Sequence, residues 1–166
     1  MTEECSIRPF RQDDLARLLA IREAAFRPVF SSFRTIVGET IASAAFASAE
    51  REQGDHLDAL CRAETGREVE VHVVERSGEL AAFVAIALDR ETRVGEIELN
   101  AVHPDHQGAG IGAAMYGLAL DRMRAAGMTV ATVGTGGDDS HAPARRAYEK
   151  AGFGRAIPSL YLYRAL

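Results

Sequence analysis

Residues 102–112 read Val102-His103-Pro104-Asp105-His106-Gln107-Gly108-Ala109-Gly110-Ile111-Gly112, and they join a predicted strand to a predicted helix. Glycines let a backbone turn tightly and approach a ligand closely. The first N–H groups of the helix that follows have no partner within the helix, so they can bind phosphate oxygens with help from the helix dipole. The pattern therefore favours a pyrophosphate site over a turn that only connects two elements.

Downstream of this turn, the sequence alternates between helical and strand patterns. Apolar residues recur at helical spacing from Ile111 to Ala126, and Gly127 is placed to end that helix. A short apolar strand and a further helix follow, and the chain closes on two segments with strand character. These predicted elements are the strand Met128–Val133, the helix Ser140–Ala151 and the final strands Phe153–Ala156 and Leu160–Arg164.

Upstream of the turn, the sequence predicts one strand, then helices, then three strands. Pro28 is expected to end the first long helix, and Gly54 is expected to interrupt a later one. Leu80–Leu88 is almost wholly apolar, which is typical of a central strand buried on both faces. The other elements are a strand at Ser6–Phe10, a loop over 29–35, helices over 36–50 and 55–63, and strands around Val69–Val73 and Glu96–Val102.

The order of these elements predicts an α/β chain of mixed type, built around one central sheet. Turns at Ser77-Gly78 and over residues 89–95 favour an antiparallel meander, and a helical crossover then returns Met128–Val133 parallel to Glu96–Val102. The length of 166 residues suits one domain over residues 1–166.

Composition excludes several classes of function. The net charge is −5 and Lys150 is the only lysine, so the basic footprint of a nucleic-acid-binding protein is missing. No apolar run reaches the ~18 residues of a membrane span, and the acidic N-terminus does not read as a signal peptide. A cytoplasmic protein is the expectation. Cys5 and Cys61 do not make a disulfide framework, and both are expected to be inert.

A dinucleotide-binding turn is the first alternative for the glycine motif. Gly108, Gly110 and Ala113 fit the loose form of that fingerprint. However, five residues separate the strand from the first glycine, and Met128–Val133 lacks the acidic residue that would bind the ribose. The dinucleotide interpretation is therefore disfavoured.

The turn resembles the phosphate motif of the GNAT acetyltransferase superfamily, Q/R-x-x-G-x-G/A, preceded by V-x-P. The resemblance implies a GNAT-like fold, in which a mostly antiparallel sheet with a splayed parallel strand pair is flanked by helices. It also implies acetyl-CoA as acyl donor. The pantetheine arm would pair with the main chain near Ala101 and Val102. The pyrophosphate would bind the main-chain amides of Gln107, Gly108, Ala109, Gly110, Ile111 and Gly112.

A second segment resembles the family signature N-x-x-A-x-x-x-Y-x-x-x-G-F. Ala144, Tyr148, Gly152 and Phe153 match it, whereas His141 replaces the usual asparagine. The resemblance implies that His141 and Ala144 lie against the cofactor, since an imidazole can also donate a hydrogen bond. It implies that Tyr148 is the general acid that protonates the departing thiolate, whereas a tyrosine that only packs a helix is the alternative.

Acetyl transfer to an amine also needs a group that takes the proton of the ammonium. Glu96 and Glu98 are candidates, because period two places them on one face of the strand with Asn100 and Val102. Two carboxylates close together are expected to raise the pKa of one of them. The alternatives are a site that binds the substrate's charge and a solvated strand face.

No metal site is expected, since the proline between His103 and His106 breaks any helical spacing and no third ligand is evident. The predicted function is acetyl transfer to a primary amine of a small molecule or a peptide, by direct attack in a ternary complex. The alternative is an acyl-CoA-binding sensor or interaction module without catalysis. In this family the acceptor pocket would lie near Phe26–Ile41 and Ser159–Tyr163, and a homodimer is a further possibility.

Overall fold

The computed structural model describes residues 5–166, and Met1–Glu4, where no signal peptide is expected, lie outside the described residues. Five strands and five helices are described, together with three short 3-10 turns. The strands are β1 (Cys5–Pro9), β2 (Glu68–Arg76), β3 (Glu79–Asp89), β4 (Val94–Val102) and β5 (Val130–Val133). The helices are α1 (Leu15–Val37), α2 (Glu39–Ala45), α3 (Ala49–Cys61), α4 (Ile111–Ala125) and α5 (Ala142–Lys150).

The strands form one sheet in the order β1-β2-β3-β4-β5. Successive strands from β1 to β4 pair antiparallel, whereas β4 and β5 pair parallel across the α4 crossover. The predicted mixed sheet with flanking helices is confirmed. Parallel neighbours require such a crossover, because a tight turn can only reverse the chain.

Two hydrophobic layers hold the helices on opposite faces of the sheet. On one face α1 and α3 bury Leu18, Ile21 and Leu57 against Phe83. On the other face α4 and α5 pack against the alternate residues of the sheet, with Met115 completely buried. Strand β3 lies between both layers, which explains its almost uninterrupted apolar sequence.

Two predicted breaks in the N-terminal helices are wrong. Helix α1 continues through Pro28 to Val37, so residues 29–35 are helical instead of a loop. An internal proline costs about 3 kcal/mol, and burial of Leu18, Ile21 and Phe30 on one side of the helix offsets that cost. The helix ends at Gly38, whose φ of 81° ends the helical geometry.

Helix α3 likewise runs through Gly54 without interruption. A Cβ at this position would lie 3.2 Å from an Arg22 guanidinium nitrogen, so the glycine makes room for a buried cation. That guanidinium donates to the carbonyl of Glu50 at 2.8 Å. Among the helices of residues 5–166, none combines the length and the apolar character that a membrane crossing requires.

The two predicted final strands are not formed. Among the described residues no strand follows α5, and Ile157, Leu160, Tyr161 and Leu162 are at least 85% exposed. A segment with an alternating sequence forms a strand only when a neighbouring strand pairs with its backbone. These residues have no such partner in the described chain. One residue of the segment does pack on the protein, because the ring centroids of Tyr163 and Phe46 lie 5.7 Å apart.

Candidate active site

A bulge in β4 sets the positions of the candidate catalytic residues. Ala85 pairs with Leu99 and Ile86 pairs with Ile97, so Glu98 is an extra residue in the ladder. An extra residue reverses the alternation of side chains between the two faces. Glu96 and Asn100 therefore lie on opposite faces of the sheet. The prediction that one face carries Glu96, Glu98, Asn100 and Val102 is wrong for Asn100 and Val102, whereas Glu96 and Glu98 do lie together.

The neighbours of each side chain show this reversal. A Cβ on Gly95 would lie 2.5 Å from the Met123 side chain of α4, so Glu96 faces the side of α1 and α3. After the bulge, the Asn100 side chain contacts residues of α4 and α5. The sequence did not reveal the bulge, because Glu98 fits the polar positions of an uninterrupted strand.

The parallel ladder between β4 and β5 is short. It begins at Val94 with Val130 and ends at Ile97 with Val133, although β4 continues to Val102. The side of residues 98–102 that faces away from β3 has no strand partner in the described chain. We call this region the β4–β5 opening. Ala101 and Val102, the expected partners of the pantetheine arm, lie in it.

The glycine turn leads directly from the β4–β5 opening into α4. Gly108 and Gly110 have φ angles of 78° and 79°, a left-handed conformation that favours glycine. Gly110 caps α4 without a side-chain hydrogen bond to the first turn. The N–H groups that open α4 are therefore available to an anion. In the same turn, Nε2 of the Gln107 side chain donates to the Val102 carbonyl at 3.2 Å, which connects the turn to the end of β4.

Tyr148 lies beside the β4–β5 opening on the α4 and α5 side, and it is 7% exposed. Its ring packs against the rings of Tyr116 and Phe153, with centroid distances of 4.9 Å and 6.1 Å. The Asn100 amide donates to Tyr148 Oη at 2.9 Å, and the Tyr116 hydroxyl donates to Asn100 Oδ1 at 3.0 Å. Sequence reasoning missed the parts played by Asn100 and Tyr116, because a helical stripe predicts burial but not a hydrogen bond to another element.

His141 stands at the N-terminus of α5 and is held by Asp138. Their Nδ1 and Oδ1 atoms lie 2.6 Å apart, and the Phe33 ring stacks on the imidazole at 5.8 Å. The pair packs closely over Gly136, since a Cβ there would lie 2.4 Å from His141 Nδ1. With Nδ1 engaged, Nε2 is the nitrogen left for a ligand. Ala144 lies one turn further along α5, packed against the core.

The Asp138 carboxylate organises the loop before α5. Burial acts to raise its pKa, but hydrogen bonds from Ser140, His141 and Ser32 outweigh it and lower the pKa to about 2. The Ser32 hydroxyl of α1 donates to Asp138 Oδ2 at 3.1 Å. The Arg145 guanidinium also binds the Asp138 carbonyl at 2.7 Å. Asp138 is thus a charged centre that connects α1 to the start of α5.

Glu96 and Glu98 are bridged by one cation. Arg67 donates to Glu96 Oε2 at 2.8 Å and to Glu98 Oε2, and the bond to Glu96 is the largest cause of the raised pKa of Arg67. His56 Nε2 of α3 lies 3.2 Å from the other oxygen of Glu98. Arg67 therefore offsets the repulsion between the two carboxylates.

The remaining candidates are Cys61, His103 and His106. Burial raises the pKa of the Cys61 thiol to about 11, so it stays protonated at neutral pH. His103 Nδ1 accepts from the Asp105 N–H at 3.3 Å, and its ring lies 6.0 Å from that of His106. Within residues 5–166, no three His, Cys, Asp or Glu side chains are grouped as a metal would require.

Comparison with known families agrees with this geometry. The model of the acetyltransferase (GNAT) family matches residues 36–153, which include β4, the glycine turn and α5. The chain belongs to the GNAT acetyltransferase family. The family predicted from the two motifs is therefore confirmed, and acetyl-CoA is the acyl donor that GNAT enzymes use.

Curated relatives share this GNAT region. The mycothiol acetyltransferase of Sanguibacter keddieii is 35% identical over 97 residues, which cover 55% of this chain and 30% of the relative. The mycothiol acetyltransferase of Streptomyces coelicolor is 33% identical over 81 residues, which cover 49% of this chain and 26% of the relative. The matched region thus spans less than a third of each of these longer proteins.

Solved GNAT structures share the fold. The PaiA N-acetyltransferase of Thermoplasma acidophilum, solved with coenzyme A, aligns with a TM-score of 0.74 at 16% identity, covering 94% of this chain and 93% of that protein. A GNAT-family protein from Desulfovibrio desulfuricans aligns with a TM-score of 0.71 at 18% identity, covering 93% of this chain and 87% of that protein.

Proposed function

We propose that the protein transfers an acetyl group from acetyl-CoA to a primary amine, by direct attack in a ternary complex. One observation carries the proposal. The β4–β5 ladder stops at Ile97 and Val133, and the opening beyond it lies between the N–H groups that open α4 and the Tyr148 hydroxyl. A cofactor with a pyrophosphate at one end and a thioester at the other fits that arrangement.

Acetyl-CoA would bind along this opening. The main-chain amides of residues 108–112 would hold the pyrophosphate, aided by the positive end of the α4 dipole. The Gln107 N–H, which was also expected to bind it, donates to the Pro104 carbonyl at 3.2 Å instead. The main chain at Ala101 and Val102 would pair with the pantetheine arm, as a strand pairs with its neighbour. His141 Nε2 would donate a hydrogen bond to the arm, and the small side chain of Ala144 would leave room beside it.

The attacking amine must first lose a proton, and Glu98 is the better of the two candidate bases. Glu98 lies at the bulge where β4 leaves β5, whereas Glu96 is still paired opposite Thr132. The Glu98 side chain is also the less exposed, at 15% against 35%. Glu98 would take the proton through water, and Glu96 would add negative charge that attracts the ammonium.

The chemical step then needs only groups of the opening. The amine nitrogen attacks the thioester carbonyl carbon, and a main-chain N–H of the unpaired part of β4 binds the oxyanion. The carbon–sulfur bond breaks, and the thiolate takes a proton from Tyr148. A phenol is protonated at neutral pH, so it can serve as this acid. The enzyme forms no covalent intermediate in this scheme.

Aromatic residues form the wall where the acceptor is proposed to bind. The Phe33 ring lies 5.7 Å from Phe46, which in turn contacts Tyr163. Phe33 also stacks on His141, so this wall continues to the cofactor side. The proposed acceptor is a small-molecule or peptide amine, because flat apolar walls accept the carbon skeleton of either. The curated relatives are named for mycothiol acetylation, which makes a thiol-bearing amine one member of the test panel.

The test is release of free thiol from acetyl-CoA across a panel of amines, amino acids, aminoglycosides and peptides with free N-termini. Mass spectrometry of the acceptor identifies the acetylated nitrogen. We expect thiol release and acetylated amine in equal amounts for at least one acceptor. Tight binding of acetyl-CoA without transfer to any amine would contradict the proposal and favour the sensor module instead.

A further inference from the structure

We propose that Asn100 is a positioning residue that directs the Tyr148 proton into the β4–β5 opening. The inference rests on the proposed acetyl transfer, since it concerns the proton that the departing thiolate receives. Neither Asn100 nor its second partner, Tyr116, belongs to the two motifs that carry the family resemblance. The structure alone brings the three residues together, from β4, α4 and α5.

The hydrogen bonds of the three side chains run in one direction. The Tyr116 hydroxyl donates to Asn100 Oδ1 at 3.0 Å, and Asn100 Nδ2 donates to Tyr148 Oη at 2.9 Å. A phenol oxygen that accepts a hydrogen bond keeps its own O–H for another acceptor. In the hydrogen bonds described by distance within residues 5–166, the Tyr148 hydroxyl is only an acceptor, so its proton is available to a group in the opening.

Tyr116 occupies the oxygen end of the Asn100 amide. It is 4% exposed, and burial followed by the neighbouring Tyr148 raises the pKa of its phenol well above the usual range, so the phenol keeps its proton. Because the Tyr116 hydroxyl donates to Asn100 Oδ1, the nitrogen end of the amide faces Tyr148. Buried networks in which every member is satisfied are rigid, which suits a group that must point at a reacting atom.

The same amide stabilises the product of proton transfer. When the carbon–sulfur bond breaks, the electron pair stays on sulfur, the Tyr148 O–H bond breaks and an S–H bond forms. The phenolate left on Tyr148 accepts the Asn100 N–H in a charge-assisted hydrogen bond, which is stronger than the bond to the neutral phenol. Tyr148 then regains a proton from water. Asn100 thus favours transfer both by orientation and by stabilising the phenolate.

The first test replaces the donor by an acceptor of the same shape. In Asn100→Asp, both side-chain oxygens accept, so the Tyr148 hydroxyl would turn to donate to the new carboxylate. We expect turnover at saturating acetyl-CoA to fall by roughly 10²-fold, with the CoA dissociation constant within threefold of wild type. Tyr116→Phe removes only the anchor of the amide, so its expected loss is smaller, about threefold to tenfold.

The second test distinguishes positioning from a structural role. Asn100→Asp and Tyr116→Phe are each combined with Tyr148→Phe in a double-mutant cycle. If both residues act through the Tyr148 proton, neither change lowers turnover further once that proton is gone. Circular dichroism checks that each variant folds, and Tyr116→Phe decides the question if Asn100→Asp does not fold.

The outcomes separate this inference from the function on which it rests. Non-additive losses within the cycle support it. Losses that multiply in the Tyr148→Phe background, or Asn100→Asp turnover within threefold of wild type, overturn the positioning role while acetyl transfer stands. A wild-type protein that acetylates no amine overturns the proposed function and this inference together.

Discussion

Ile97 and Val133 are the last paired residues of the parallel β4–β5 ladder, and the candidate active site begins where their pairing ends. The bulge at Glu98 comes next in β4, followed by Asn100 and the unpaired main chain that leads to the glycine turn. The end of the β4–β5 ladder leaves hydrogen-bonding groups of β4 unpaired, and the bulge places Glu98 and Asn100 on different faces of the sheet.

The glycine turn makes the first prediction. Gly110→Val should weaken acetyl-CoA binding at least tenfold, about 1.4 kcal/mol. A β-branched residue disfavours the φ of 79° and adds bulk where the pyrophosphate approaches the backbone. Calorimetric titration with CoA measures the effect. Gly117→Ala is the control, because this α4 residue has open space around it and lies away from the turn. Equal CoA affinity in a folded Gly110→Val variant would remove the turn from the site.

Dinucleotides provide a prediction of selectivity. NAD and NADP should not bind at micromolar concentrations, because the strand after α4 carries no acidic residue to bind the adenosine ribose. Titration of the same protein sample with NAD, NADP and CoA compares the three ligands directly. Saturable NAD binding that competes with CoA would favour a dinucleotide site.

The bulge residue makes a prediction about turnover. Glu98→Gln should lower kcat by roughly 10²-fold with little change in CoA affinity, because the amide cannot take the amine's proton. Glu68→Gln makes the same chemical change at an exposed residue of β2 that pairs with Arg90, away from the opening. Turnover at saturating acetyl-CoA and calorimetric titration with CoA measure the two quantities. Glu98→Gln turnover within threefold of wild type would show that Glu98 is not the base.

The Asp138 carboxylate predicts how stability depends on pH. Its pKa of about 2 is lower than in the unfolded chain, so ionised Asp138 stabilises the folded state. This contribution to the free energy of unfolding is complete above pH ~4 and disappears as the pH falls toward 2. Asp138→Asn should reduce the free energy of unfolding by about 1–3 kcal/mol at pH 7, since it weakens hydrogen bonds to a charged group. The difference from wild type should shrink below pH ~4.

Urea denaturation at several pH values measures this difference. Asp139→Asn is the matched control, because the neighbouring Asp139 is exposed and is expected to change stability little. A difference between wild type and Asp138→Asn that stays constant from pH 7 to pH 2 would contradict the depressed pKa.

The sheet and the glycine turn could be predicted because their signals are local. Alternation in β2 and β4, the apolar run of β3 and the helical period of α4 each depend on neighbouring residues of the same segment. Pro28 misled the prediction of α1, because burial of distant residues outweighs a local breaking signal. The C-terminal segment gave the opposite error. Leu160–Arg164 has the alternating sequence of a strand, but no strand of the described chain pairs with it.

The candidate site was predictable only where it follows a motif. Tyr148 and the glycine turn have fixed spacing in the sequence, whereas the hydrogen bonds among Tyr116, Asn100 and Tyr148 join three separate elements. The Arg67 bridge between Glu96 and Glu98 likewise connects residues about thirty positions apart. A bulge leaves almost no sequence signal, yet it decides which face each β4 side chain occupies.

The central claim is that Tyr148 protonates the thiolate during acetyl transfer, and turnover of Tyr148→Phe at saturating acetyl-CoA tests it most directly. The change removes one oxygen and keeps the ring that packs against Tyr116 and Phe153, so the fold and CoA affinity should persist. CoA binding is measured beside turnover, with the acceptor that the amine panel identifies. The account predicts a fall in turnover of roughly 10²–10⁴-fold. Turnover within threefold of wild type would contradict it and make water the proton donor.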